Sequence, residues 1–401
     1  MEIDNNILIV DNLINSAFNN KLRIKFDDKI QELNITKSQA AEIIGITHRS
    51  LDGILDGALQ YVDFVSLLKV AKFLEIEDTE LTSAYASMIR KKFHEDLEDS
   101  KKRSFIINNF DLPVLKSIGV INSIRDFKHI EERLKMLFEL DNIYDFDFQD
   151  GGVAFSTVTS LPKNLNNRRY FIADAKAIFK KISNPIPYNR DLLVQYFSKI
   201  RWQSLDTENG LLKVIQNLYK MGVTVIFRPK IPKTKMRGAT FLLNQKPCIV
   251  LTDYRGYYPT LWFALLHELF HVIFDWEELC KHPIHLSDPD SPFINQAREK
   301  EADEFAVDYF INRDEKQKVF SKIDERLFIR EFAIDTQIHP SMIYAIYAFE
   351  NKSEERNYWA EFNTHFPPIK PTLKKLGSLL THEVKVSQVA SFYKSQIFNN
   401  E

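Results

Sequence analysis

His267-Glu268-Leu269-Phe270-His271 lies within the most apolar run of the chain, Leu261 to Phe274, and this combination constrains everything around it. Residues four apart on an α-helix stand one above the other, so both imidazoles can reach a single ion from one face. Glu268 is turned by about 100° around the axis, which places it beside the ion rather than on it. From there it can take a proton from water and later return it to a leaving amine. The apolar flanks predict a buried helix that holds the imidazoles rigidly and keeps bulk water away.

Zn2+ is the expected metal, and a catalytic zinc site needs a third protein ligand with one position left open. Glu277 stands where an extended motif would place another histidine, so a carboxylate from a second helix is expected instead. In the segment Glu299 to Ala306, the residues Glu299, Ala302, Asp303 and Ala306 share one helical face, and the small alanines permit close approach. Glu299 is therefore expected to bind the metal, with Asp303 accepting the second ring N–H of a ligand histidine. Glu301 competes for the ligand role but points to a different face. His282 and His285, on either side of Pro283, read as solvated loop residues and are left out of the site.

With 53 Lys+Arg against 55 Asp+Glu, the chain has no global attraction for nucleic acid or membrane, and such a partner must meet a local patch. Two cysteines, Cys248 and Cys280, support neither a disulfide framework nor a thiolate cage. Met1-Glu2-Ile3-Asp4 lacks the features of a signal peptide, and the longest apolar run is too short to span a bilayer. The expectation is a cytoplasmic protein with no membrane partner.

Four short amphipathic helices are expected at Phe26 to Leu33, Ser38 to Ile44, Thr47 to Leu55 and Asp63 to Leu74. Ser38 and Thr47 read as N-caps, Gly45 and Gly57 as helix ends. A charged helical stretch follows, and Asp141 to Asn167, with Gly151-Gly152 and Pro162, reads as an irregular connection. Helices are then expected at Tyr170 to Ile182, Asp191 to Ile200 and Leu211 to Tyr219. Strands follow at Val223 to Phe227, Ala239 to Leu243 and Cys248 to Thr252, the last two forming a hairpin through Asn244-Gln245-Lys246-Pro247. Thr260 to Trp276 and Asn295 to Asn312 return to helix. An exposed strand of that hairpin would bind an extended peptide by adding it to the sheet, which makes protein the natural substrate class.

These residues resemble the ImmA/IrrE metallopeptidase family. The resemblance runs from Met221 to about Asn351, through Met221-Gly222-Val223-Thr224-Val225, Arg237-Gly238-Ala239, Pro247 to Thr252, Trp262 to His271, Glu299 to Ala306, and Phe332 through His339-Pro340-Ser341. Phe270 replaces the glycine often found before the second histidine. The N-terminal part resembles a helix-turn-helix of the XRE (Cro/repressor) type, with Ala41, Gly45 and Leu51 at the small, turn and core positions. In that register Lys37, His48, Arg49 and Ser50 face DNA. The resemblance implies a mostly α multidomain chain: an all-α helix-turn-helix at 21–82, a helical linker at 83–165, an α+β zincin-like peptidase domain with a small antiparallel-containing sheet at 166–352, and a C-terminal helical extension at 353–401.

What it implies about function is a bacterial regulator of the kind found in toxin–antitoxin pairs and mobile-element control. Such a chain cleaves a specific protein partner, or alternatively sequesters a toxin on the peptidase scaffold while acting as a transcriptional autoregulator at operator DNA. Residues 1–80 carry eight basic against fourteen acidic side chains, which opposes phosphate approach. A protein-docking or dimerisation role, giving a homodimer, is the alternative for that unit.

Overall fold

The computed structural model of the chain describes residues 22–56, 61–147, 165–287, 296–351 and 355–398. These form a mostly helical protein with one four-stranded mixed sheet, divided into two compact units, Met1–Phe105 and Ile106–Glu401. Among the described residues, no helix is long and apolar enough to cross a membrane.

In the first unit, helices α1 (22–32), α2 (Lys37–Ile44), α3 (His48–Leu55), α4 (Phe64–Phe73) and α5 (Asp78–Lys92) surround a core that includes Leu22, Phe26, Ala41, Leu51, Ile54 and Val70. Helix α2 starts at Thr36, not at Ser38: Thr36 and Gln39 satisfy each other's backbone N–H in a capping box, so the true cap lies two residues earlier. Gly45 ends α2 at φ 72°, a left-handed conformation that glycine adopts without a Cβ penalty. Thr47 caps α3 through the Ser50 N–H, and Asp63 caps α4. Gly57, Gly151, Gly152 and Pro162 lie outside the described residues.

The chain continues through α6 (His94–Asn109), α7 (Leu112–Ser117), α8 (Phe127–Phe138), α9 (Leu165–Ile182), α10 (Arg190–Phe197) and α11 (Gly210–Lys220). The sheet follows, as β1 (Thr224–Phe227), β2 (Gly238–Leu243) and β3 (Lys246–Leu251), then α12 (Tyr258–Phe274), α13 (Trp276–Lys281) and β4 (Ile284–Ser287). Helices α14 (Gln296–Phe310), α15 (Arg313–Phe320), α16 (Arg326–Asp335), α17 (Pro340–Glu350), α18 (Tyr358–Glu361), α19 (Ile369–Lys375) and α20 (Val386–Phe392) complete it.

Strand order is β1-β3-β2-β4, with β1 parallel to β3 and the other pairs antiparallel. The hairpin turn is only Asn244-Gln245, both at positive φ (51° and 61°), as a two-residue turn matched to strand twist requires. Lys246 and Pro247 already belong to β3. Neither hairpin strand is a sheet edge, because β4 covers β2 and β1 covers β3; among the described residues the edges are β1 and β4, the latter a strand the sequence pattern did not reveal.

The C-terminal helices belong to the same unit as the sheet. Tyr393 Oη accepts the Phe227 N–H at 2.7 Å and donates to the Leu376 carbonyl at 2.8 Å. At the end of β1, buried Arg228 donates to both oxygens of Asp174 on α9 (2.7 and 3.2 Å) and to the Leu380 carbonyl at 2.7 Å, with His382 Nδ1 3.2 Å away. Burial alone would raise the Asp174 carboxyl, but Arg228 and His382 outweigh it and hold the pKa at about 2. This ion pair ties α9, the sheet and the C-terminal segment together.

Candidate metal centre

Helix α12 is apolar nearly all round, as a helix packed on several sides must be. One side meets the sheet and another meets α14, where buried Ala302 and Ala306 allow the two helix backbones to approach. The packing brings His267, His271 and Glu299 together. His267 Nε2 lies 3.3 Å from His271 Nε2 and 3.2 Å from Glu299 Oε2, and His271 Nε2 lies 3.4 Å from Glu299 Oε1. In a tetrahedron with metal–ligand bonds of about 2.0–2.1 Å, ligand atoms are roughly 3.3–3.4 Å apart. The two imidazole nitrogens stand at that spacing from each other, and each meets a different oxygen of Glu299 at a similar distance.

A third histidine joins this cluster. His285 on β4 places Nε2 2.7 Å from Glu299 Oε1 and stacks its ring 3.8 Å from that of His271. The ligand atoms of His267, His271, His285 and Glu299 all lie within 4.8 Å of one another, a group able to hold a metal ion. The sequence reading placed His285 in a solvated loop. What it missed is the short alternation Ile284-His285-Leu286-Ser287, which pairs His285 with Thr240 on β2 and turns it toward α12. His282 is exposed and lies 3.6 Å from Glu278, away from the cluster.

Both histidines of the motif have their outer nitrogens committed. His267 Nδ1 donates to Asp303 Oδ1 at 2.9 Å, and His271 Nδ1 donates to Asp275 Oδ2 at 2.7 Å, leaving each Nε2 free to face an ion. The carboxylates are themselves held: Arg237 Nη1 donates to Asp303 at 2.8 Å and Arg298 Nε to Asp275 at 2.6 Å. Asp275 escaped the sequence reading, although its position four residues after His271 is the helical spacing for such a contact. Glu301 is exposed and paired with Arg298, outside the cluster.

Burial is the largest single influence on His267 and acts against its charge. The hydrogen bonds to Asp303 and Glu299, with the nearby Glu268 charge, overcome it and raise the pKa to about 9. His271 is raised in the same way, by Asp275 and Glu299 against burial. Glu299 would be raised by burial, but its three histidine neighbours push it far below the usual carboxylate range. Three imidazoles thus converge on a group that stays ionised, a donor set that a divalent cation satisfies in place of protons.

Glu268 is fully buried. Its Oε2 accepts from Thr240 Oγ1 at 2.7 Å, whereas Oε1 has no hydrogen-bond partner among the described residues. A buried carboxylate oxygen left unpaired is costly, so this atom calls for a guest that donates a hydrogen bond. Gly238 on β2 makes room for it, since a Cβ there would stand 2.7 Å from Oε1.

In the first unit, His48 and Arg49 are exposed at the start of α3. Ser50 Oγ lies 2.8 Å from Thr47 Oγ1, and Lys37 is ion-paired with Asp52. Arg23 forms a bidentate contact with Asp56 at 2.6 and 2.7 Å. Comparison of the chain with protein-family models, curated proteins and solved structures finds no match, so the chemistry of these residues carries the interpretation.

Proposed function

We propose that residues 166–352 form a zinc metallopeptidase resembling the ImmA/IrrE family, within a zincin-like fold, and that the chain is a cytoplasmic bacterial regulator acting on a specific protein partner. The observation that carries this is the convergence of His267, His271 and Glu299, with both imidazole Nε2 atoms and the carboxylate oxygens 3.2 to 3.4 Å apart, beside a buried Glu268 whose Oε1 has no partner among the described residues. His267, His271 and Glu299 would hold a zinc ion, which would supply Lewis acidity toward a peptide carbonyl and water. Glu268 Oε1 then accepts a proton from water and delivers it to the leaving amine, while Thr240 fixes the other oxygen. Asp303 and Asp275 keep the imidazoles in one tautomer. Strand β4, the sheet edge next to the cluster, supports main-chain pairing with an extended substrate. Metal analysis of the purified chain tests this directly: about one zinc per chain and cleavage of partner protein that Glu268→Gln abolishes are expected, and a metal-free chain would end the proposal.

A second reading is favoured by His285. Four protein ligands close a zinc site, as in structural centres, which suits a non-proteolytic scaffold that sequesters a toxin. Azide added to the cobalt-substituted protein separates the two, because a visible spectral change requires an accessible coordination position.

For the first unit we propose an XRE-type helix-turn-helix in which His48, Arg49 and Ser50 at the start of α3 approach DNA, with Lys37 beside them. The Lys37–Asp52 and Arg23–Asp56 pairs consume cationic charge, so affinity for duplex DNA is expected to be weak and only shallowly salt-dependent.

A further inference from the structure

Beside the metal cluster lies a cleft of about 660 Å3, open mouth included, and His267 and Glu268 form part of its wall. The rest of the lining is largely apolar: Phe263 and Ala264 lie about one turn earlier on α12, Ala306 and Val307 come from α14, Ile346 from α17 and Trp359 from α18. Trp359 is held in place between neighbours. Tyr257 stacks on it at 5.3 Å between ring centroids, and the Arg255 guanidinium sits 5.1 Å from its ring.

The polar groups of the cleft are mostly committed elsewhere. Asp303 serves His267 and Arg237, and Arg237 gives Nη1 to Asp303 while its buried Nε has no partner among the described residues. A carboxylate or ammonium entering between Ala306, Val307 and Phe263 would lose hydration without compensation, whereas a large apolar side chain gains by leaving water. A side chain this close to Glu268 belongs to a residue next to the bond being cleaved.

Resting on the metallopeptidase reading above, we propose that this cleft selects the substrate residue adjoining the scissile bond, taking Phe, Leu or Met over small or charged side chains. Discrimination of at least about tenfold is expected for such a pocket.

The test uses peptidyl hydroxamates, which chelate the metal without turnover. The residue beside the chelating group is Phe, Leu, Gly or Asp, and binding to the cobalt-substituted full chain is read from its visible spectrum. Phe and Leu probes should bind at least tenfold more tightly than Gly or Asp, and a set of matching peptides should be cleaved in the same order. Trp359→Ala, at the α18 wall and away from the α12–α14 contact, should reduce the preference while cobalt stays bound. Should that variant fail to fold, Phe349→Ala at the α17 wall gives the same reading. Equal binding of the four probes, or preference for Asp through Arg255, overturns the proposal and leaves the metal reading intact. Failure of every hydroxamate to bind, or failure to take up cobalt, overturns both.

Discussion

Thr240 and His285 face each other across β2 and β4, and each reaches a different part of one centre: Thr240 donates to Glu268 at 2.7 Å, and His285 lies 2.7 Å from Glu299. Gly238, two residues before Thr240 and on the same face of β2, leaves the space that Glu268 Oε1 occupies. The sheet thus shapes the base while α14 brings the carboxylate ligand. Thr240→Val should lower turnover of a cleaved peptide about tenfold to a hundredfold with zinc content unchanged, because only the orientation of Glu268 is disturbed. Gly238→Ala should lower it further by pressing on Oε1. Steady-state kinetics beside metal analysis checks both, and loss of zinc in either variant would contradict this division of labour.

The ligand assignment makes a separate prediction. His267→Ala, His271→Ala and Glu299→Gln should each abolish stoichiometric zinc binding, while Glu301→Gln should leave it intact. Asp303→Asn should weaken affinity about 10- to 100-fold, the usual effect of removing a ligand's hydrogen-bond partner. Competition against a chromophoric chelator measures all five. Full retention by Glu299→Gln would move the third ligand elsewhere, with His285 the nearest candidate.

The parts of the centre legible in the sequence were those with a helical period. His267 and His271 are one turn apart, and Glu299 shares a face with Asp303, Ala302 and Ala306, so local geometry forces each set together. His285 and Thr240 were not legible as a pair, since their meeting depends on the register of two strands that are not consecutive in the hairpin. The same limit explains the fold. Helices such as Arg190–Phe197 and Gly210–Lys220 followed from periodicity, but β4 is four residues long and its place as an edge strand depends on long-range pairing. Thr36 was passed over as a cap because Ser38 also suits the role, and only the reciprocal bond with Gln39 distinguishes them.

For the first unit, stability and binding should separate. Leu51 is fully buried in the helical core, so Leu51→Ala should cost about 2–5 kcal/mol and unfold that unit at lower denaturant. Arg49 is exposed, so Arg49→Glu should leave the denaturation midpoint nearly unchanged while abolishing any binding to a fluorescent duplex. Duplex affinity equal to that of the unchanged chain would remove α3 from the proposed DNA contact.

Asp174 supplies a prediction about pH that is independent of the metal. Its folded pKa, about 2, lies below the ordinary value of 3.8, so the folded state binds this proton less readily than the unfolded chain. The associated stability is present in full above about pH 4 and fades as the pH falls toward 2. For a fully buried group the shift corresponds to roughly 2 kcal/mol. Asp174→Asn deletes that titration and leaves the buried Arg228 charge without its carboxylate, which should cost about 3–5 kcal/mol at pH 5. Other carboxylates also titrate in acid, so the informative quantity is the stability difference between the two proteins from urea unfolding. That difference should shrink by about 2 kcal/mol between pH 5 and pH 2. A difference that stays constant over this range would mean that Asp174 does not hold its charge against burial, and that the Arg228 contact stabilises the fold by packing alone.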